Sequence, residues 1–188
     1  KLISFNLVVV GPICAYLAYK LSGFDMSREL PSLPVALAHI AVFTICEEIG
    51  FYYTHRLFHH PRIYKYVHKI HHEWTAPVSI TSIYAHPIEH ALSNLMPILS
   101  GPVLLHSHIL VAWAWFGLAV WSTTCSHSGY HLPLMSSPEA HDYHHVAFTE
   151  CFGVLGILDR LHNTNKTFRR LANYKRHYTT FTVEPVKQ

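Results

Sequence analysis

Long apolar runs alternate with polar ones along this chain, and the alternation itself predicts a membrane protein. Residues 2–19 (LISFNLVVVGPICAYLAY) are apolar apart from Ser4 and Asn6 and stop at Lys20. Such a run lies near the lower limit for a helix that crosses a bilayer. Residues 21–34 are polar and carry Pro31 and Pro34, the marks of a connector. Residues 35–54 (VALAHIAVFTICEEIGFYYT) form a second run, with Glu47 and Glu48 near its end. Residues 88–126 are again apolar but are broken by Ser100, Gly101 and Pro102 and by His106 and His108. They read as a helical hairpin with spans at about 88–104 and 108–126. The polar stretches 55–86 and 127–177 remain as a cap. The expectation is an all-α integral membrane protein, one domain over 1–188 with four transmembrane helices and a His-rich helical cap.

A hairpin returns the chain to the side it left, so 55–86 and 127–188 should share one face. With Lys1, at the start of the first span, twelve Lys and Arg residues then lie on that face and only Lys20 and Arg28 on the other. The positive-inside rule makes the polar face cytosolic.

That face carries the chemistry. Eighteen of the 188 residues are histidine. Ten of them fall in four tight groups: His55 and His59 (HRLFHH), His68, His71 and His72 (HKIHH), His127 and His131 (HSGYH), and His141, His144 and His145 (HDYHH). Spacings of three and four put imidazoles on one helix face. A pair at i, i+4 offers two ligands to one ion. A triplet at i, i+3, i+4 can serve one ion twice and its neighbour once. Ten nitrogens supply five ligands to each of two metal ions, with room left for oxygen or water.

Composition narrows the field. The chain is 50% hydrophobic and 13% charged, against about 25% charged in an ordinary soluble domain. A formal net charge of +3 without clustered basic and aromatic residues excludes a nucleic-acid partner. The cysteines Cys14, Cys46, Cys125 and Cys151 form no C-x-x-C pair and stand outside every histidine group. They indicate neither a disulfide framework nor a thiolate zinc site. Lys1 in place of Met leads us to expect a fragment or trimmed chain, and the ending VEPVKQ is no retention signal.

Imidazole suits iron, copper, zinc and nickel, so ligand type alone does not choose the metal. A zinc hydrolase needs one ion and three ligands. A di-iron centre that activates oxygen fits better at the mouth of a helix bundle, where a lipid can slide in from the bilayer. Breaking an unactivated C–H bond needs a strong oxidant. The cofactor supplies that chemistry, and the protein supplies position and excludes water.

The motifs HRLFHH, HKIHHEW, YAHPIEH, HSGYH and HDYHH, followed by GVLGILDRLH, resemble the fatty acid hydroxylase/sterol desaturase superfamily of membrane di-iron enzymes, over residues about 35–162. They are also similar to its C4-methylsterol monooxygenase branch. The resemblance implies four membrane helices under a cytosolic cap in the endoplasmic reticulum membrane. It implies two iron ions, for which zinc can substitute in a preparation. It also implies O2 and an electron donor such as cytochrome b5 or its NAD(P)H reductase. Residue by residue it implies His55, His59, His68, His71, His72, His127, His131, His141, His144 and His145 as metal ligands. The family often reads D-x-x-x-G-T near the end; here Asn163 stands where Gly is usual after Asp159.

The expected reaction is O2-dependent hydroxylation of a lipid C–H bond, with the C4 methyl group of a sterol as the favoured target. A sterol desaturase and a fatty-acyl or sphingolipid hydroxylase would use the same cage. Outside that class stand a metal-handling membrane protein and an inactive regulatory homologue. Transport needs a polar path through the bilayer, and the polar residues within the spans are few: His39, Glu47, Glu48 and Asn94.

His60, His86, Glu48 and Asp142 are candidates to support the ligands, with a ligand role left open for His60, since relatives with one more intervening residue would place it in the motif, and for His86. An acid inside a span is costly and usually has a task. Glu47 or Glu48, or Asp142 and Glu73 beside the ligands, could accept a hydrogen bond from an imidazole and fix its tautomer. The competing reading for the two glutamates is a hydrated helix end. Pro87 after His86 marks a helix start. His39 should bond a neighbouring helix, His106 and His108 belong to the far turn, and His162 and His177 to the cap surface. Trp74, Trp113, Trp115 and Trp121 are expected as interface anchors.

Overall fold

The computed structural model describes residues 1–186 and is mostly helical. Helices α1 (Leu2–Ser22), α2 (Leu33–Phe58), α3 (87–104) and α4 (Ile109–Ser126) form the bundle. The shorter α5 (Glu139–Ala147) and α6 (Ile157–His162) lie in the cap. Two residues of β1 (Tyr130–His131) pair antiparallel with β2 (Glu184–Pro185).

Among the described residues α1, α2 and α4 are long and apolar enough to cross a membrane. That makes three helices where the sequence reading expected four. The run at 88–104 does form a helix, but Glu89, His90, Ser93 and Asn94 interrupt its first half and lower its hydropathy. It packs along α2 instead of standing as a separate apolar rod. A Cβ on Gly101 would sit 2.7 Å from the Phe43 Cα, so only glycine permits this approach.

Pro34 in the first turn starts α2. The helix continues beyond the expected end at 54 to Phe58, which puts His55 on its last turn and His59 at its C-cap. The bundle core is Phe43, Val111 and Trp115, with Ile40, Ile98 and Leu105 around it. Trp115 is therefore a core residue, donating Nε1–H to the Ile98 carbonyl at 3.0 Å, and not the interface anchor expected of it. Trp74, Trp113 and Trp121 are exposed. Outward side chains such as Val8, Leu37 and Leu118 leave apolar faces that the hydrocarbon of a bilayer would cover.

The end of the bundle remote from the cap is tied by its own polar bonds. His39 Nδ1 lies 3.0 Å from Ser107 Oγ. His108 caps α4 by accepting from the Leu110 N–H, and its Nε2 donates to the Ser27 carbonyl. His106 bonds the Ser22 carbonyl. His106 and His108 hold the far turn, as their positions suggested, while His39 bonds that loop rather than the neighbouring helix expected of it.

Candidate metal centre

Four structural pieces meet at the other end: the last turn of α2, a 3-10 helix at His68–Glu73, the end of α4, and α5. They bring nine of the ten motif histidines into two groups. His55, His59, His68, His72 and His144 form one; His71, His127, His141 and His145 form the other. Within each, one nitrogen per ring lies within 4.8 Å of all the others. Each triplet divides two to one between the groups.

Hydrogen bonds fix which nitrogen is free. His55 Nδ1 donates to the Phe152 carbonyl at 2.8 Å, His68 Nδ1 to Glu89 Oε1 at 2.7 Å, and His144 Nδ1 to the Glu150 carbonyl at 2.8 Å. In the second group His127 Nδ1 donates to the Thr123 carbonyl at 2.8 Å and His71 Nδ1 to the Tyr84 carbonyl at 3.3 Å. Carbonyl and carboxylate oxygens only accept, so these Nδ1 atoms carry the proton and Nε2 is a bare lone pair. Yet the Nε2 atoms converge: 3.1 Å between His55 and His68, and 3.4 Å between His71 and His127. Two lone pairs facing at that distance repel and form no hydrogen bond. A cation between them turns the repulsion into coordination, so the donor set fits two metal ions.

Electrostatics agree. Burial, reinforced by the neighbouring imidazoles, pushes His68, His141 and His144 well below the ordinary histidine range. The same causes lower His72 and His145 and take His59 down to about 2. Burial takes His71 to about 4 and His127 to about 3. The rings are neutral at neutral pH, the form that binds metal.

His131 stands apart from both groups. The i, i+4 spacing from His127 would share a helix face, but α4 ends at Ser126 and Gly129 takes a positive φ of 73°. The turn delivers His131 to β1, where its Nε2 lies 3.4 Å from Glu139 Oε1 and its ring stacks on Tyr178. Glu139, fully buried, also accepts from Arg176 Nε at 2.7 Å.

The expected supporting residues are also placed differently. His60 caps the single helical turn Pro61–Tyr64, and His86 caps α3, each accepting a backbone N–H. Asp142 is held up at about 7 by burial and by Glu139, and among the described residues it bonds no grouped imidazole. Glu73 accepts from the Tyr84 hydroxyl at 2.8 Å. Glu48 accepts from the N–H groups of Val154, Leu155 and Leu158 rather than from an imidazole. It thereby fixes the loop whose Phe152 carbonyl orients His55. Asp159 holds the same loop, accepting from the Phe152 and Gly153 N–H groups and the Thr164 hydroxyl. Asn163 sits in the left-handed region with φ 55°. Asn tolerates that region better than most residues, which explains the departure from Gly.

The carboxylate that does bond a grouped histidine is Glu89, which sequence reasoning passed over. An acid within an apolar run, inside YAHPIEH, was the available signal.

A cavity of about 980 Å³ extends from between the helices to His55, His68, His71, His127 and His141, with Leu95, Ile98 and Phe116 among its apolar walls. A second, smaller pocket of about 500 Å³ opens beside His59, Arg56 and His60.

Paired groups of bare imidazoles at the end of an apolar helix bundle, facing an apolar cavity, define a candidate dinuclear metal centre of a membrane protein. The chain belongs to the fatty acid hydroxylase family, whose model matches residues 40–164; the family resemblance read from the motifs holds. Fatty acid hydroxylase domain-containing protein 2 of Homo sapiens is 52% identical over 161 residues, which cover 86% of this chain and 48% of that protein. Fatty acid hydroxylase ahd1 of Mycosarcoma maydis is 45% identical over 169 residues, 88% of this chain and 44% of that protein. Methylsterol monooxygenase 2-2 of Arabidopsis thaliana is 34% identical over 184 residues, 92% of this chain and 68% of that protein. The chain thus spans about half the length of the first two relatives. No solved structure matches it.

Proposed function

We propose that this chain forms the membrane part of an O2-dependent di-iron lipid monooxygenase, with the C4 methyl group of a sterol as its substrate position. The observation that carries the reading is the convergence of nine imidazoles, five of them locked with Nε2 free, into two groups that both reach a cavity walled by membrane helices. When bound, the two iron ions would supply O2 activation and an oxidant for a C–H bond. The reaction balances as one oxygen atom entering the lipid as a hydroxyl and the other leaving as water. Two electrons from a donor of the cytochrome b5 or NAD(P)H reductase class, and two protons, complete it.

The chain's own residues perform the rest. His55, His59, His68, His72 and His144 hold one ion, and His71, His127, His141 and His145 the other. Phe152, Glu150, Tyr84 and Thr123 orient four of these rings through carbonyl oxygens, and Glu89 orients His68 through its carboxylate. The apolar walls position the lipid and exclude water. In this reading α3 is a fourth, protein-supported membrane helix. The basic cap faces the cytosol at the endoplasmic reticulum membrane. The methylsterol monooxygenase relative supports the sterol substrate. The relatives named for fatty acid hydroxylation support a second reading, hydroxylation of a fatty-acyl lipid.

The test uses membranes containing the protein, a 4-methylsterol, NADPH with reductase partners, and isotopically labelled oxygen. Label in a C4 hydroxymethyl or carboxyl product is expected by mass spectrometry. Unchanged sterol beside an active control enzyme, with label in a fatty-acyl product instead, would select the second reading.

A further inference from the structure

We infer that Asn6, on the first membrane helix and outside the matched region, is a positioning residue for His71. The inference rests on the metal-binding part of the proposed function. It starts from a polar side chain in an unusual place. Asn6 is fully buried, while its neighbours Phe5 and Leu7 face outward. Its Nδ2 donates to the Ile83 carbonyl at 3.1 Å and to the Ala85 carbonyl at 2.9 Å. Its Oδ1 has no partner among the described residues. A leucine would avoid leaving a buried acceptor unpaired, so the two donated bonds are what the amide contributes here.

Those bonds bracket Tyr84. Its carbonyl lies between the two that Asn6 holds, and it accepts from His71 Nδ1 at 3.3 Å. The hydroxyl of Tyr84 reaches Glu73, at the end of the same 3-10 helix that carries His71. Segment 79–85 is thus a strut between α1 and that helix. The His71 bond is the longest of the five that fix an Nδ1 proton, so it has the least margin if the strut shifts. Asn6 also begins a π-helical stretch, Asn6–Val10, which packs against a second one, His90–Leu95. Such stretches are rare and are frequently found at functional sites.

The grouped imidazole that the strut bonds directly is His71, of the four-histidine group, whereas His68 on the same 3-10 helix has its Nδ1 held by Glu89. Asn6 therefore acts first on the ion of the four-histidine group. The experiment compares wild type, Asn6→Leu, Asn6→Ala and Asn6→Gln, the last keeping both donors on a longer arm. Iron per chain is measured after reconstitution, together with the magnetic signature of the oxidised protein. In the Leu and Ala variants iron should fall from about two ions toward about one, with the signal of an isolated ferric ion replacing that of a coupled pair, and Gln should restore much of the loss. Hydrogen exchange on the metal-free proteins should speed up at 79–86 and at His71 and stay unchanged at 152–164. That measurement needs neither lipid nor oxygen, so it separates this inference from the choice of substrate. Equal loss from both groups, no rescue by Gln, or a wild type that binds no second ion would overturn it.

Discussion

The two histidine groups share the 3-10 helix and α5, but the first adds the end of α2 and the second the end of α4, and they are supported differently. In the five-histidine group, His55 and His144 lean on the backbone of 150–152, and His68 leans on Glu89. Loop 152–158 is itself fastened by the buried carboxylates Glu48 and Asp159, which together accept from five backbone N–H groups. The four-histidine group has thinner support: a carbonyl one turn back on α4 for His127 and the longer bond to Tyr84 for His71. Three of its four members line the large cavity, against two of five in the other group. A group with more ligands and stiffer supports keeps its ion; one with fewer ligands, open to the cavity, leaves room for a reacting partner. Under the proposed function, the difference assigns anchoring to the first group and substrate-facing chemistry to the second.

The sharpest way to break this contrast is to remove a ligand from the stiff group. His144 is fully buried and its Nε2 faces His59 at 3.0 Å. His144→Ala should abolish turnover and release iron, measured as product and as metal per chain. Full activity in that variant would remove the five-histidine cage from consideration. A smaller effect is expected at Glu89. Glu89→Ala leaves His68 Nδ1–H without its acceptor, and metal affinity should fall by about 10- to 100-fold in a chelator competition. Glu89→Gln keeps an acceptor oxygen and should lose less.

Much of this frame is legible in the sequence, and the failures have physical causes. Apolar runs locate α1, α2 and α4 because the bilayer selects residues one by one along a span. They give α2 an end at 54 because Thr54 and His55 look polar, whereas a helix continues as long as its polar residues have somewhere to point. Here that place is the candidate metal centre. His131 is misplaced by spacing because i, i+4 has meaning only inside a helix, and Gly129 ends that condition. The carbonyls of Phe152, Glu150, Tyr84 and Thr123 were beyond reach, since a backbone oxygen carries no residue identity. Glu48 could be recognised as an acid with a task, but its task is to hold amides rather than a ring.

That task sets the next prediction. Glu48→Ala would leave three backbone N–H groups in a half-buried loop without their acceptor. The variant should lose about 3 kcal/mol of stability in detergent, read as a lowered Tm. It should also lose iron from the five-histidine group before the four-histidine group, because loop 152–158 serves only the former. Loss from the four-histidine group first would reverse the ranking of the two supports.

The smallest effects belong at His60 and His86, which separate a histidine near the site from one in it. Each accepts a backbone N–H through Nδ1, from Arg62 at 3.3 Å and from Ile88 at 3.2 Å. Each therefore works as a helix N-cap. Replacing either by Ala should cost about 1 kcal/mol, while Asn or Ser should restore most of it, since a side-chain oxygen caps as well as an imidazole nitrogen. Iron content should not change in any of these variants. Rescue by Asn or Ser is the informative arm, because neither residue replaces an imidazole ligand. Stability restored with iron still bound leaves both histidines outside the cage, whereas iron lost in the Ser variant would enlarge the cage beyond the nine rings that now face one another.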